Sequence, residues 1–118
     1  MKPDLNEVLG RVKAATGADR ELDRLITAAV EPVSIGLQQK AYTSSVDDCL
    51  RLIAILLPDW HWHVGHGPDG ILPYAALSKS TGSGAQNDGG RVEVAAPTVP
   101  LALLGAALQA LMADRARE

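Results

Sequence analysis

The residues of this chain with the most obvious capacity for chemistry are three histidines in one short run, His61-Trp62-His63-Val64-Gly65-His66. Imidazole binds transition metals and moves protons near neutral pH. On a strand, residues i and i+2 point to the same side, so His61 and His63 would face one ion. His66 would reach round from the turn that follows, Gly67-Pro68-Asp69-Gly70, and Asp69 would add an oxygen. Three imidazoles and a carboxylate form a donor set for zinc with one open position, the outline of a metal-dependent hydrolase. Against this, histidines alternating with Trp60 and Trp62 on a half-exposed strand need no ligand. The sequence also holds no H-E-x-x-H, H-x-H-x-D-H or Cys pair. Zinc is the one cofactor these residues suggest, and a solvent-facing strand is the simpler explanation of them.

The other candidates are weaker. Thr43, Ser44 and Ser45 precede Asp47 and Asp48, but no G-x-S-x-G elbow or S-x-x-K is present to make a nucleophile of them. Capping of a helix accounts for these hydroxyls. Gly82-Ser83-Gly84 and Gly89-Gly90 lack the Lys-Ser/Thr pair of a phosphate loop and are not followed by a helix, so a hairpin loop suits them better. Trp60 and Trp62 share a strand face and form a candidate stacking platform for a ligand, although such a pair more often packs on a helix. Cys49 is the single cysteine. It sits in an apolar helical stretch, where a thiol behaves as a small hydrophobe, and it excludes an intrachain disulfide.

These residues are carried by a recognisable order of elements. Asp4 begins a helix with Leu5, Val8, Leu9 and Val12 on one face, ended by Gly17. Asp19 starts another with Leu22, Leu25, Ile26 and Ala29 inward and Arg20, Glu21, Asp23 and Arg24 toward water, stopped by Pro32. Val33 to Ala41 is irregular or a short edge strand. Ser44 or Ser45 opens a third helix with Val46, Cys49, Leu50, Ile53 and Leu57 as its buried stripe, closed by Pro58. From Trp60 the period becomes two, giving a strand, a Gly-Pro-Asp-Gly turn and a second strand from Ile71 to Ser78, with Pro73 placing it at an edge or a bulge. A Gly/Ser/Asn loop from Thr81 to Gly90 and a short strand from Arg91 to Ala95 follow. Thr98 then caps a last helix. That helix is apolar on nearly every side, so it is either central or part of an interface between copies.

The expected fold is therefore α+β, a three-stranded antiparallel sheet packed between or against about four helices in the order α-α-α-β-β-β-α. At 118 residues the chain forms a single domain: residues 1–31 make an N-terminal helical pair and residues 42–113 the sheet-plus-helices core. Net charge is −3 with the basic residues scattered, which argues against nucleic acid as partner. The apolar run from Val99 to Leu108 is too short for a bilayer, and the N-terminus lacks the apolar region of a signal peptide. A cytoplasmic location, away from membranes, is expected.

Four segments taken together are familiar: Thr16-Gly17-Ala18-Asp19-Arg20-Glu21-Leu22-Asp23, Tyr42-Thr43-Ser44-Ser45-Val46-Asp47, Pro58-Asp59-Trp60-His61-Trp62 and Ala96-Pro97-Thr98-Val99-Pro100-Leu101-Ala102-Leu103. Over about residues 5–112 the chain resembles the phage ABA sandwich domain family of small bacteriophage and prophage proteins, in which a sheet is set between helical layers. The resemblance implies an accessory protein of the host cytoplasm and carries over no catalytic residue; its recurring positions serve caps, chain stops and packing. The function expected is non-enzymatic binding of a host protein or a small ligand such as a nucleotide, by a homodimer. The alternatives are a hydrolase built on His61, His63 and His66, and a minor structural protein of the virion.

Overall fold

The structure, a computed structural model, describes residues 4–30, 41–66, 72–79 and 90–116. Helix α1 spans Leu5–Ala14, α2 Arg20–Val30, α3 Val46–Leu56 and α4 Val99–Ala116, and the strands are β1 Trp60–His66, β2 Pro73–Lys79 and β3 Arg91–Ala95. The element order is the expected one. The stretch from 31 to 40, the turn after His66 and the loop at 80–89 lie outside the described residues, so the expected Pro32 stop, the Gly-Pro-Asp-Gly turn and most of the Gly-rich loop do too.

Each helix start has its cap. Asp4 Oδ1 accepts the N–H of Asn6 at 3.1 Å, and Asp19 Oδ1 accepts that of Leu22 at 3.0 Å. Ser45, not Ser44, caps α3 by accepting the N–H of Asp48 at 3.1 Å, and Thr98 accepts that of Leu101 at 3.3 Å. These bonds satisfy amides that a helix leaves unpaired in its first turn. Helix α1 ends at Ala14, before Gly17, with the N–H of Ala15 turned back to the carbonyl of Val12.

The strands form one antiparallel sheet in the order β1-β2-β3. Pro73 therefore begins the central strand and sits neither on an edge nor in a bulge. It is tolerated because the first residue of a strand can lack an N–H, while its carbonyl still accepts the N–H of Ala96 at 3.1 Å. Gly90, with φ of 116°, leads into β3 in a conformation that favours glycine, and its carbonyl accepts the N–H of Lys79.

Helix α4 lies across β2 and β3 on one side and against α1 and α3 on the other, with α2 packed on α1. It is thus the middle layer, which explains its nearly uniform apolar surface: Leu101, Leu103, Leu104 and Leu108 are all buried within one chain. Gly105 is what allows the close approach, since a Cβ there would meet Val94 Cγ1 at 2.9 Å. The face of α4 that suggested an interface between copies is already covered. The buried stripe of α3 also differs from expectation: Leu52 is buried, whereas Val46 is exposed. No described helix is long and apolar enough to cross a membrane.

Candidate binding site

The alternation of β1 decides what its histidines can do. His61, His63 and Gly65 share a face with Tyr74, Ala76 and Ser78 of β2 and with Arg91, Glu93 and Ala95 of β3. Trp60, Trp62, Val64 and His66 are on the opposite face, toward α4. His66 is the last residue of β1, paired with Pro73, and does not come round from the turn. The structure therefore brings His61 and His63 to one side and sets His66 on the other. Asp69 lies outside the described residues. Nε2 of His63 and Oη of Tyr74 share a hydrogen bond of 3.0 Å, and the Tyr74 ring lies over Gly65, where a Cβ would come within 3.3 Å of it. Among the described residues no group of three or more His, Cys, Asp or Glu is placed to hold a metal ion.

The two tryptophans separate as well. Trp60 is buried, and its indole N–H donates to Asp114 Oδ2 at 3.1 Å. Asp114 also holds Lys79 at 2.9 Å, so the end of α4 is tied to the outer ends of β1 and β2. Trp62, two residues on, is 48 % exposed. A stacking surface on β1 reduces to Trp62 alone.

The hydroxyl, carboxylate and thiol groups near residue 43 are engaged in the fold. Thr43 Oγ1 accepts the N–H of Asp19 at 2.8 Å, and its own N–H donates to Asp23 Oδ1 at 2.8 Å. Asp23 is only 4 % exposed, so the expectation that it faces water is corrected: its carboxylate has a buried amide to accept from, which offsets the cost of removing it from solvent. Thr43 likewise links α2 to the turn before α3 and does not cap α3. Asp48 Oδ2 accepts the N–H of Ala41 at 2.9 Å. Cys49 donates to the carbonyl of Tyr42 at 3.1 Å. Burial, with the neighbouring charges of Asp48 and Asp23, pushes its thiol up from 9.0 to about 12, so it is protonated and a poor nucleophile at neutral pH.

An open cleft of about 350 Å³ lies between α1, β3 and α4, lined by Val12 and Lys13, by Glu93 to Ala96, and by Leu101 and Gln109. That is the lower end of the range for ligand pockets, about 300–1,000 Å³. The ladder fixes the character of its β3 wall. Ala96 N–H donates to Pro73 and Lys79 N–H to Gly90, so residues 90, 92, 94 and 96 turn their backbone groups toward β2. Arg91, Glu93 and Ala95 turn theirs outward, and among the described residues no strand pairs with that edge. Lys13 stands across from it without an ion pair among the described residues, since Glu93 is held by Arg91 at 3.2 Å. Comparison with protein-family models, with curated proteins and with solved structures finds no match to this chain.

Sequence reasoning missed this cleft because its walls are distant in the chain. Val12 and Lys13 lie in the last turn of α1, and Glu93 to Ala96 run from the end of β3 to the residue after it. The one local signal is the short alternating strand itself, which among the described residues is an edge strand and so turns alternate amides away from the sheet.

Proposed function

We propose that this chain is a non-enzymatic binding protein, of the phage or prophage accessory kind that its resemblance implies, acting on a host protein or small ligand. The observation that carries this reading is the open cleft beside the outward backbone groups of Glu93 and Ala95. The groups around residue 43 that suggested catalysis are meanwhile bonded to backbone. A binding surface with unpaired amides recognises a partner without needing a reactive side chain.

The homodimer belongs to the same proposal, through β1. Residues 61, 63 and 65 bond to β2, so Trp62 and Val64 turn their amides outward. Trp60–His66 contains no Pro, Lys or acidic residue, the devices that usually protect an edge. Two copies paired antiparallel about His63 would set the half-exposed Trp62 of each against Val64 of the other, a favourable aromatic–aliphatic pair.

The rival, a hydrolase built on His61, His63 and His66, requires residues that β1 places on opposite faces. It is tested with p-nitrophenyl acetate and bis-p-nitrophenyl phosphate, with and without added zinc. The binding-protein reading expects no turnover that depends on His61 or His63. Zinc-stimulated hydrolysis abolished by His63→Ala would contradict it.

A further inference from the structure

We propose that the cleft between α1 and β3 receives an extended peptide segment of a protein partner, which adds as a fourth strand to the sheet beside β3. The inference rests on the binding-protein reading and gives its partner a chemistry.

The wall of the cleft is a backbone edge. Glu93 and Ala95 each present an N–H and a C=O outward, spaced two residues apart, or about 6.8 Å along an antiparallel strand. That repeat matches alternate residues of another extended chain, and a compact small molecule would satisfy only part of it. In a strand added there, the residue opposite Val94 shares Val94's face and so enters the cleft, where Val12 and Leu101 are buried and apolar. Its two neighbours turn to the open face that carries His61, His63 and Tyr74. Lys13 supplies the charge preference. It is an exposed cation on the opposite wall, so a carboxylate close to the apolar residue is favoured. The occupant is therefore an extended segment with an inward apolar side chain and, two residues away on the same face, an Asp, a Glu or a free C-terminus.

A second copy of this chain fits less well. Its own β3 is flanked by β2 and backed by α4, and it would have to enter beside α1 carrying those elements with it. A lone strand meets no such obstacle.

The test uses the full chain as bait for a displayed library of random heptapeptides, followed by affinity measurement with the best synthetic peptide. Enriched sequences are expected to hold an apolar residue at a fixed short distance from an acidic one. Ala95→Pro removes the outward N–H without touching the β2 ladder, a substitution that an edge strand tolerates. It should weaken binding by about tenfold or more. Lys13→Glu, on an exposed helix surface, should weaken it similarly and carries the test if the proline variant does not fold. Hydrogen exchange at Glu93 and Ala95 should slow on peptide binding.

If the peptide binds both variants as well as it binds the parent chain, this inference is overturned while the binding-protein reading stands. Enrichment of no peptide overturns it too. Exchange at Glu93 and Ala95 that is already slow in the free protein, and becomes slower with protein concentration, would assign the edge to a second copy and overturn it equally.

Discussion

The backbone N–H of Thr43 lies 2.8 Å from Oδ1 of Asp23, a carboxylate twenty residues earlier in the chain. Around this bond the turn before α3 is fastened to the first turns of α2. The hydroxyl of Thr43 accepts from Asp19 N–H and donates to its carbonyl, so one threonine closes two contacts to the same helix start. Truncating Asp23 would leave a buried amide unpaired. Asp23→Ala is expected to lower unfolding stability by about 1–3 kcal/mol, and Asp23→Asn, which keeps an acceptor, by less. Urea unfolding of both variants with Thr43→Val checks this, and equal stabilities for Asp23→Ala and the parent would refute it.

Cys49 gives the fold a pH dependence with a definite sign. Its thiol is pushed up from 9.0 to about 12, chiefly by burial. Below pH 9 it is protonated in both folded and unfolded chains, and its contribution to stability is complete. Between pH 9 and 12 the unfolded chain gives up the proton while the folded chain keeps it. Stability then falls by up to about 1.4 kcal/mol per pH unit. Cys49→Ala lacks this term, so any stability gap between it and the parent should shift against the parent chain as pH rises through that window. Denaturant titrations at pH 8 and above, run on both proteins, read it directly; parallel curves would show that the thiol is not shielded.

Gly105 in the middle of α4 is a helix-weakening residue kept for packing. Alanine there would gain about 1 kcal/mol of helix propensity, but its Cβ would come to 2.9 Å from Val94 Cγ1. Val94 is β-branched and cannot turn aside cheaply, and overpacking typically costs about 1–3 kcal/mol. Gly105→Ala should therefore destabilise by a net amount up to about 2 kcal/mol. Adding Val94→Ala should relieve the clash, so the two substitutions together cost less than their sum. Thermal unfolding of the four proteins in the cycle decides it; strict additivity would place the strain elsewhere.

For the β1 dimer the sensitive residue is Trp62, 48 % exposed at the edge of the sheet. Sedimentation should show a concentration-dependent dimer for the parent chain and a monomer for Trp62→Lys, which places a charge on the edge. A parent chain that stays monomeric at high concentration would remove the dimer from the proposal.

Element order, caps and strand alternation were legible because they depend on neighbours within a few residues: Asp4, Ser45 and Thr98 announce their helices locally, and Trp60 to Gly65 alternate visibly. What depended on distant neighbours was not. Helical periodicity put Asp23 in water, since nothing near it in sequence reveals the Thr43 amide. Pro73 suggested an edge, because strand order is decided by pairing between strands and proline at a strand's first position leaves no further trace. The apolar surface of α4 was compatible with a second copy until the layers on both its sides were known. The alternation of the histidine run makes it a strand, but nothing local marks where that strand ends, and a difference of one residue there decides whether His66 belongs to the turn or to the strand face opposite His61 and His63.

The claim that this chain acts by binding is tested most directly by photocrosslinking in cells that carry its gene. A benzophenone-bearing residue at position 93, on the cleft wall, should yield a discrete protein adduct. The same group at position 51, exposed on α3, should not, and Ala95→Pro should diminish the adduct from position 93. No adduct from position 93, or the same adducts from both positions, would contradict a binding function at this cleft.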